Sequence, residues 1–113
     1  MNTYKIDKNI GAKNVRIFVG DQMTVAEAEN FMREFKQTVA SITPSDFELI
    51  IDGVQMNVLT QELTDKLIQT MMIYKQAGFK KILIEIQNNA VLKMQVSRVM
   101  RQAGLTDAEV ITR

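Results

Sequence analysis

From Phe47 to Leu105 the chain runs FELIIDGVQMNVLTQELTDKLIQTMMIYKQAGFKKILIEIQNNAVLKMQVSRVMRQAGL, and each element in it announces its own period. Phe47-Glu48-Leu49-Ile50-Ile51 is a short apolar run. A helical pattern follows from about Leu59 to Ala77 and stops at Gly78. A second apolar run, Ile82-Leu83-Ile84-Glu85-Ile86, leads into another helical pattern that stops at Gly104. Strands alternating with helices of this length pair in parallel through helical crossovers. Neither strand alternates enough for a face open to water, so Phe47–Ile51 reads as a central strand covered on both sides. Leu49, Ile51, Leu83 and Ile84 are the expected buried strand residues.

Each helix has a recognisable apolar stripe. In the first of the pair, Leu63, Leu67, Met71 and Tyr74 recur at helical steps, widened by Ile68 and Met72. Gly78-Phe79 has the form of a left-handed cap with its apolar contact, and Gly104-Leu105 repeats it. In the second helix Leu92, Val96, Val99 and Ala103 make the apolar face, with Asn88 or Asn89 as its cap. Val91, Met94 and Met100 flank that face, so some apolar surface is expected to remain exposed there. Eight methionines in the chain serve adaptable binding surfaces or fill irregular core gaps.

Toward the N-terminus, Thr3-Tyr4-Lys5-Ile6 and Val15-Arg16-Ile17-Phe18-Val19 alternate at period two around Asn9 and Gly11, the pattern of an antiparallel hairpin. Thr24-Val25-Ala26-Glu27 is a capping box. Ala28, Phe31, Met32, Phe35, Val39 and Ile42 then mark one face of a helix, broken at Thr43-Pro44-Ser45-Asp46. Glu109-Val110-Ile111-Thr112 reads as a terminal strand. The order is strand, strand, helix, strand, helix, strand, helix, strand, with right-handed crossovers laying the helices on the sheet.

Composition limits the chemistry. With 113 residues, 46% of them hydrophobic and 24% charged, residues 1–113 suit one globular domain. Cysteine and histidine are absent, which removes disulfides, Cys/His zinc sites, histidine triads and thiol nucleophiles. A net charge of +1 compels no polyanion partner. The N-terminal residues lack a signal-peptide core, and no apolar run spans a membrane, so the cytoplasm is expected.

Asp52-Gly53 closes the central strand, where open α/β sheets gather ligands. Asp52 is thus a candidate ligand-binding or catalytic carboxylate, or a turn residue beside a Gly53 of unusual backbone angle. Glu62 and Asp65 complement the dipole of the following helix. Its preceding segment, Met56-Asn57-Val58-Leu59-Thr60, lacks the glycines of a phosphate loop, and Asn57 or Thr60 serves as a simple N-cap. Lys80, Lys81, Lys93, Arg98 and Arg101 give basic surface without aromatics to stack on bases, so nucleic acid is not expected as a partner.

Several local patterns, in this order, resemble the STAS domain, the fold of bacterial anti-sigma factor antagonists. Val15 to Thr24 looks like the family's second strand and the cap of its first helix. Phe47 to Val54 looks like the central strand with its acidic, glycine-containing turn, and Ser97 to Leu105 like the last core helix. The resemblance spans roughly Thr3 to Ile111. It implies a STAS-like α/β fold: an N-terminal hairpin leading into a mixed, mainly parallel four- to five-stranded sheet with three main helices.

The family's phosphorylated switch is an Asp-Ser-Ser-Gly type sequence at the start of the second core helix. Aligned on Gly53, the chain has Val58-Leu59-Thr60-Gln61 there, with Thr60 at the phosphoacceptor position. Aligned on Asp52, it has Thr60-Gln61-Glu62-Leu63, with Glu62 at that position. Neither register keeps aspartate, serine and glycine together. The resemblance therefore implies a regulatory protein-binding module without the usual switch and without catalysis, cofactor or metal. Its partner would be an anti-sigma factor-like kinase or a regulatory complex, docked on Asn57, Val58, Leu59, Thr60 and Glu62, and a homodimer is compatible with it. Thr60 is the phosphorylation candidate. The alternative is a sensor of a nucleotide or apolar ligand beside Asp52 and Gly53.

Overall fold

The N-terminal alternation builds a hairpin, β1 (Tyr4–Asn9) and β2 (Asn14–Val19), paired antiparallel from Tyr4–Val19 to Asn9–Asn14. The computed structural model describes residues 4–20, 25–56, 58–105 and 108–113. Asn9 and Gly11 were the expected turn makers, and Asn9 acts through its side chain, whose Oδ1 accepts the Ala12 N–H at 2.9 Å. Gly11 is not the residue in the left-handed region; Lys13 is, at φ 54°. Thr24, half of the expected capping box, lies outside the described residues.

Helix α1 (Val25–Ala40) buries Phe31 and Phe35, while Ala28 is exposed rather than on the apolar face. Phe35 meets the buried Tyr74 edge-on at 5.2 Å between ring centroids. Burial pushes the Tyr74 phenol pKa up. A 3-10 turn over Pro44–Asp46 then feeds β3 (Glu48–Gly53). Next come α2 (Gln61–Ala77), β4 (Lys81–Ile86), α3 (Ala90–Ala103) and β5 (Glu109–Thr112). Gly78 and Gly104 close their helices at φ 82° and 80°, and the half-buried Phe79 and buried Leu105 follow them onto the core. Asn89 is the cap of α3: its Oδ1 accepts the Leu92 N–H at 3.1 Å.

The described strands form one sheet in the order β1-β2-β3-β4-β5, antiparallel in the first pair and parallel in the rest. Sequential order has a consequence. Each right-handed crossover steps the same way along the sheet, so each deposits its helix on the same face. Val15, Ile17, Leu49, Ile51, Ile82, Ile84 and Ile86 are buried under the helices. Their neighbours Phe18, Ile50, Leu83 and Ile111 point to the other face and take no part in that core. The expectation of a central strand covered on both sides is thus corrected. β3 is central in the sheet but helix-covered on one face only, and Leu83 is half-buried opposite Ile50 rather than in the core.

Candidate functional site

The strand-to-helix passage after β3 is held by a set of specific hydrogen bonds. Gly53 accepts the Met56 N–H on its carbonyl at 2.9 Å, which turns the chain. The expected unusual backbone angle at Gly53 is absent; its φ is not among the positive ones. Glycine suits the position for a different reason. A Cβ there would lie 2.8 Å from the Met56 sulfur and 3.2 Å from the Glu85 carbonyl oxygen.

Two glutamines from the next β–α unit then hold the loop. Gln87 donates its side-chain amide to the Met56 carbonyl. Gln95 on α3 grips Leu59 at two points: its Oε1 accepts the Leu59 N–H at 2.8 Å, and its Nε2 donates to the Leu59 carbonyl at 3.0 Å. A side-chain amide thereby imitates a strand neighbour and satisfies backbone groups that have no other ladder to join. Thr60 follows as the N-cap of α2, with extended backbone and an Oγ that accepts the Leu63 N–H at 3.2 Å. Asn57, the other candidate cap and docking residue, lies outside the described residues.

This frame sorts the remaining expected site residues. Leu59 turns inward and packs against the core, whereas Val58 is 46% exposed. Thr60 and Glu62 are exposed, and Glu62 pairs with Lys66 one turn on at 3.4 Å. Leu63 was expected to open the buried stripe, yet it is 43% exposed, as is Met72 at a similar level. Burial falls off toward the start of α2: Met71 and Tyr74 are buried, Leu67 is half-buried and Leu63 is exposed. Val58 and Leu63 consequently flank the Thr60 cap as displayed apolar side chains. Leu63 carried no sequence signal of exposure, because it continues the stripe of Leu67, Met71 and Tyr74.

Asp52 goes elsewhere. It belongs to the set of β3 side chains on the helix-free face, half-buried beside Arg16, whose Nη1 lies 3.5 Å from Asp52 Oδ2 and 2.9 Å from Glu85 Oε1. Arg113 adds a second guanidinium to Glu85 at 3.2 Å. Two guanidinium groups account for the burial of Glu85, which is 8% exposed and the one buried charged residue among those described. Glu62 belongs to α2 and has Lys66 as its partner, whereas Asp52 has Arg16. Asp52 also accepts the Val54 N–H at 3.4 Å, which is its turn role.

Two open grooves lie away from Asp52 and Gly53. One of about 610 Å³ runs between β1 and α1, past Tyr4, Ile6, Glu27 and Glu34. The other, of about 420 Å³, runs along the outside of α3. Among the described residues no acidic cluster is arranged to hold a metal ion, and no helix is long and apolar enough to cross a membrane. No protein-family model, curated protein or solved structure matches the chain.

Proposed function

We propose that this chain is a STAS-like regulatory module of the cytoplasm that binds another protein through the loop and first turn of α2 and has no catalysis of its own. The observation that carries this reading is the pair Val58 and Leu63, held out to solvent on either side of the Thr60 cap. The Gln87 and Gln95 hydrogen bonds hold the nearby backbone at Met56 and Leu59, which lowers the entropic cost of docking there. Each side chain is a little under half exposed, so burying the remainder at a contact is worth roughly 1 kcal/mol apiece. The resemblance points to the same helix start. A phosphate on Thr60 would sit at the positive end of α2 and add about −1.5 to −2 charge beside the two apolar residues, which is the physical form of an off-switch.

Leu63→Asp tests the reading. An acid in the first turn of a helix is compatible with folding, so stability should stay within about half a kcal/mol. At a contact, the same carboxylate would have to be desolvated. Proteins captured from lysate by the wild-type chain should be lost with the variant. Identical capture by both chains would remove the start of α2 from the interface.

A further inference from the structure

We propose that the outward face of α3 docks an acidic amphipathic helix of a partner protein. The proposal rests on a surface separate from the start of α2. Helix α3 carries Lys93, Arg98 and Arg101 and no acidic residue. All three cations are exposed, and none makes an ion pair or hydrogen bond among the described residues. Helix α2 differs, since Lys66 has Glu62 and Asp65 has Gln61 as partners on the same face.

Apolar surface lies among these unpaired charges. Met94 is 67% exposed, more than any other large hydrophobic residue described, and Val91 is 55% exposed. The groove along this face is lined by Ala90, Lys93, Met94, Ser97, Arg98 and Arg101. Ala90 and Ser97 stand two turns apart with small side chains, and longer side chains rise around them. A ridge of side chains on a second helix fits such a groove. Ala90 to Arg101 covers about three turns, the length over which a docked helix presents apolar anchors at i, i+3, i+4 and i+7. Methionine at the centre adapts to the shape of those anchors. Acidic side chains flanking the anchors would meet Lys93, Arg98 and Arg101.

Other anionic partners use this face less well. Bilayer recognition by basic residues calls on clusters of about 4–8 cations, more than α3 offers. Single-stranded nucleic acid stacks its bases on aromatic side chains, and α3 has none. An apolar groove adds nothing to phosphate binding.

The test uses the full chain and a synthetic helical peptide of about four turns, with leucines at the anchor spacing and glutamates on the flanks. Titration followed by backbone amide shifts should saturate, with the largest changes between Ala90 and Arg101. Reversal of the cations in K93E/R98E/R101E should weaken binding at least about tenfold, as should added salt. Met94→Ala, which keeps every charge, should weaken it severalfold while leaving the thermal melt unchanged. Reversal of Arg33 and Lys36 on α1 should leave the affinity within about a factor of two, since those cations are screened from the site. No saturable binding of the glutamate peptide would overturn the proposal. So would equal binding of a lysine-flanked peptide, undiminished binding by the reversed variant, or preference for phosphatidylserine vesicles or an oligonucleotide over the peptide.

Discussion

Helices α2 and α3 follow the same plan and end up in different relations to the core. Both leave a parallel strand, both begin at a side-chain cap (Thr60 and Asn89), and both stop at a left-handed glycine followed by an apolar residue. Yet α3 buries Leu92, Val96, Val99, Met100 and Ala103, while α2 buries Met71 and Tyr74 alone. In α3 the stripe is buried from Leu92 in its first turn to Ala103 in its last. In α2 burial begins only at Met71, and the first turn carries the exposed Leu63. Two helices with equally clear apolar stripes can thus serve different ends, one closing the core and the other displaying its start. Met100 illustrates the first: it joins the core of α3 rather than flanking it, whereas Met94 and Val91 remain outside as expected.

The contrast is broken or sharpened most strongly by truncating a fully buried residue of α3. Leu92→Ala should cost about 2–5 kcal/mol in chemical denaturation, because the cavity adds to the lost transfer energy. A cost below about 1 kcal/mol would mean that α3 is no better packed than the start of α2.

Alkaline pH probes the one place where α2 is tightly packed. The unfolded Tyr74 phenol ionises near 10.0, and burial raises its folded value above that. The folded state therefore binds more protons above pH 10, and its stabilisation is complete below that point. As pH rises past 10, stability should fall by up to about 1.4 kcal/mol per pH unit until the folded pKa is passed. Tyr74→Phe should be less sensitive over the same window when melts are compared across pH. Equal slopes for the two chains would show the ring to be accessible.

Removal of either cap should affect the two helices alike. Thr60→Ala and Asn89→Ala should each cost about 1 kcal/mol by thermal or denaturant melting, since each leaves one helical N–H without its acceptor. A negligible loss for Thr60→Ala alone would indicate that the first turn of α2 is already frayed. The smallest effect is expected at that turn: Leu63→Ala should change stability by less than about half a kcal/mol. A loss near that of Leu92→Ala would place Leu63 in the core and withdraw it from the proposed docking surface.

Much of the fold was legible because strands and helices impose different periods on the same apolar residues. Ile82 to Ile86, the Gly78-Phe79 stop and the hairpin around Asn9 could each be read locally. Leu83 shows where local reading failed. A run of consecutive apolar residues normally means burial on both faces, but Ile50 and Leu83 cover each other across adjacent strands without a helix above them. At the candidate site, the Thr60 cap was visible three residues from its partner. Gln87 and Gln95 were not, because a polar residue at a helix start or on a half-buried helix face has no periodic signature. Their targets Met56 and Leu59 lie 31 and 36 residues away.

Local physics, then, determined the elements, the caps and the absence of histidine and thiol chemistry, since each depends on residue type and on spacing within a few turns. Tertiary structure decided which sheet face the helices cover, that Asp52 pairs with Arg16, and that Leu63 stays exposed. Those outcomes depend on strand order, on the direction of each crossover and on which segments pack against each helix face. Such quantities acquire meaning only when distant segments are laid side by side.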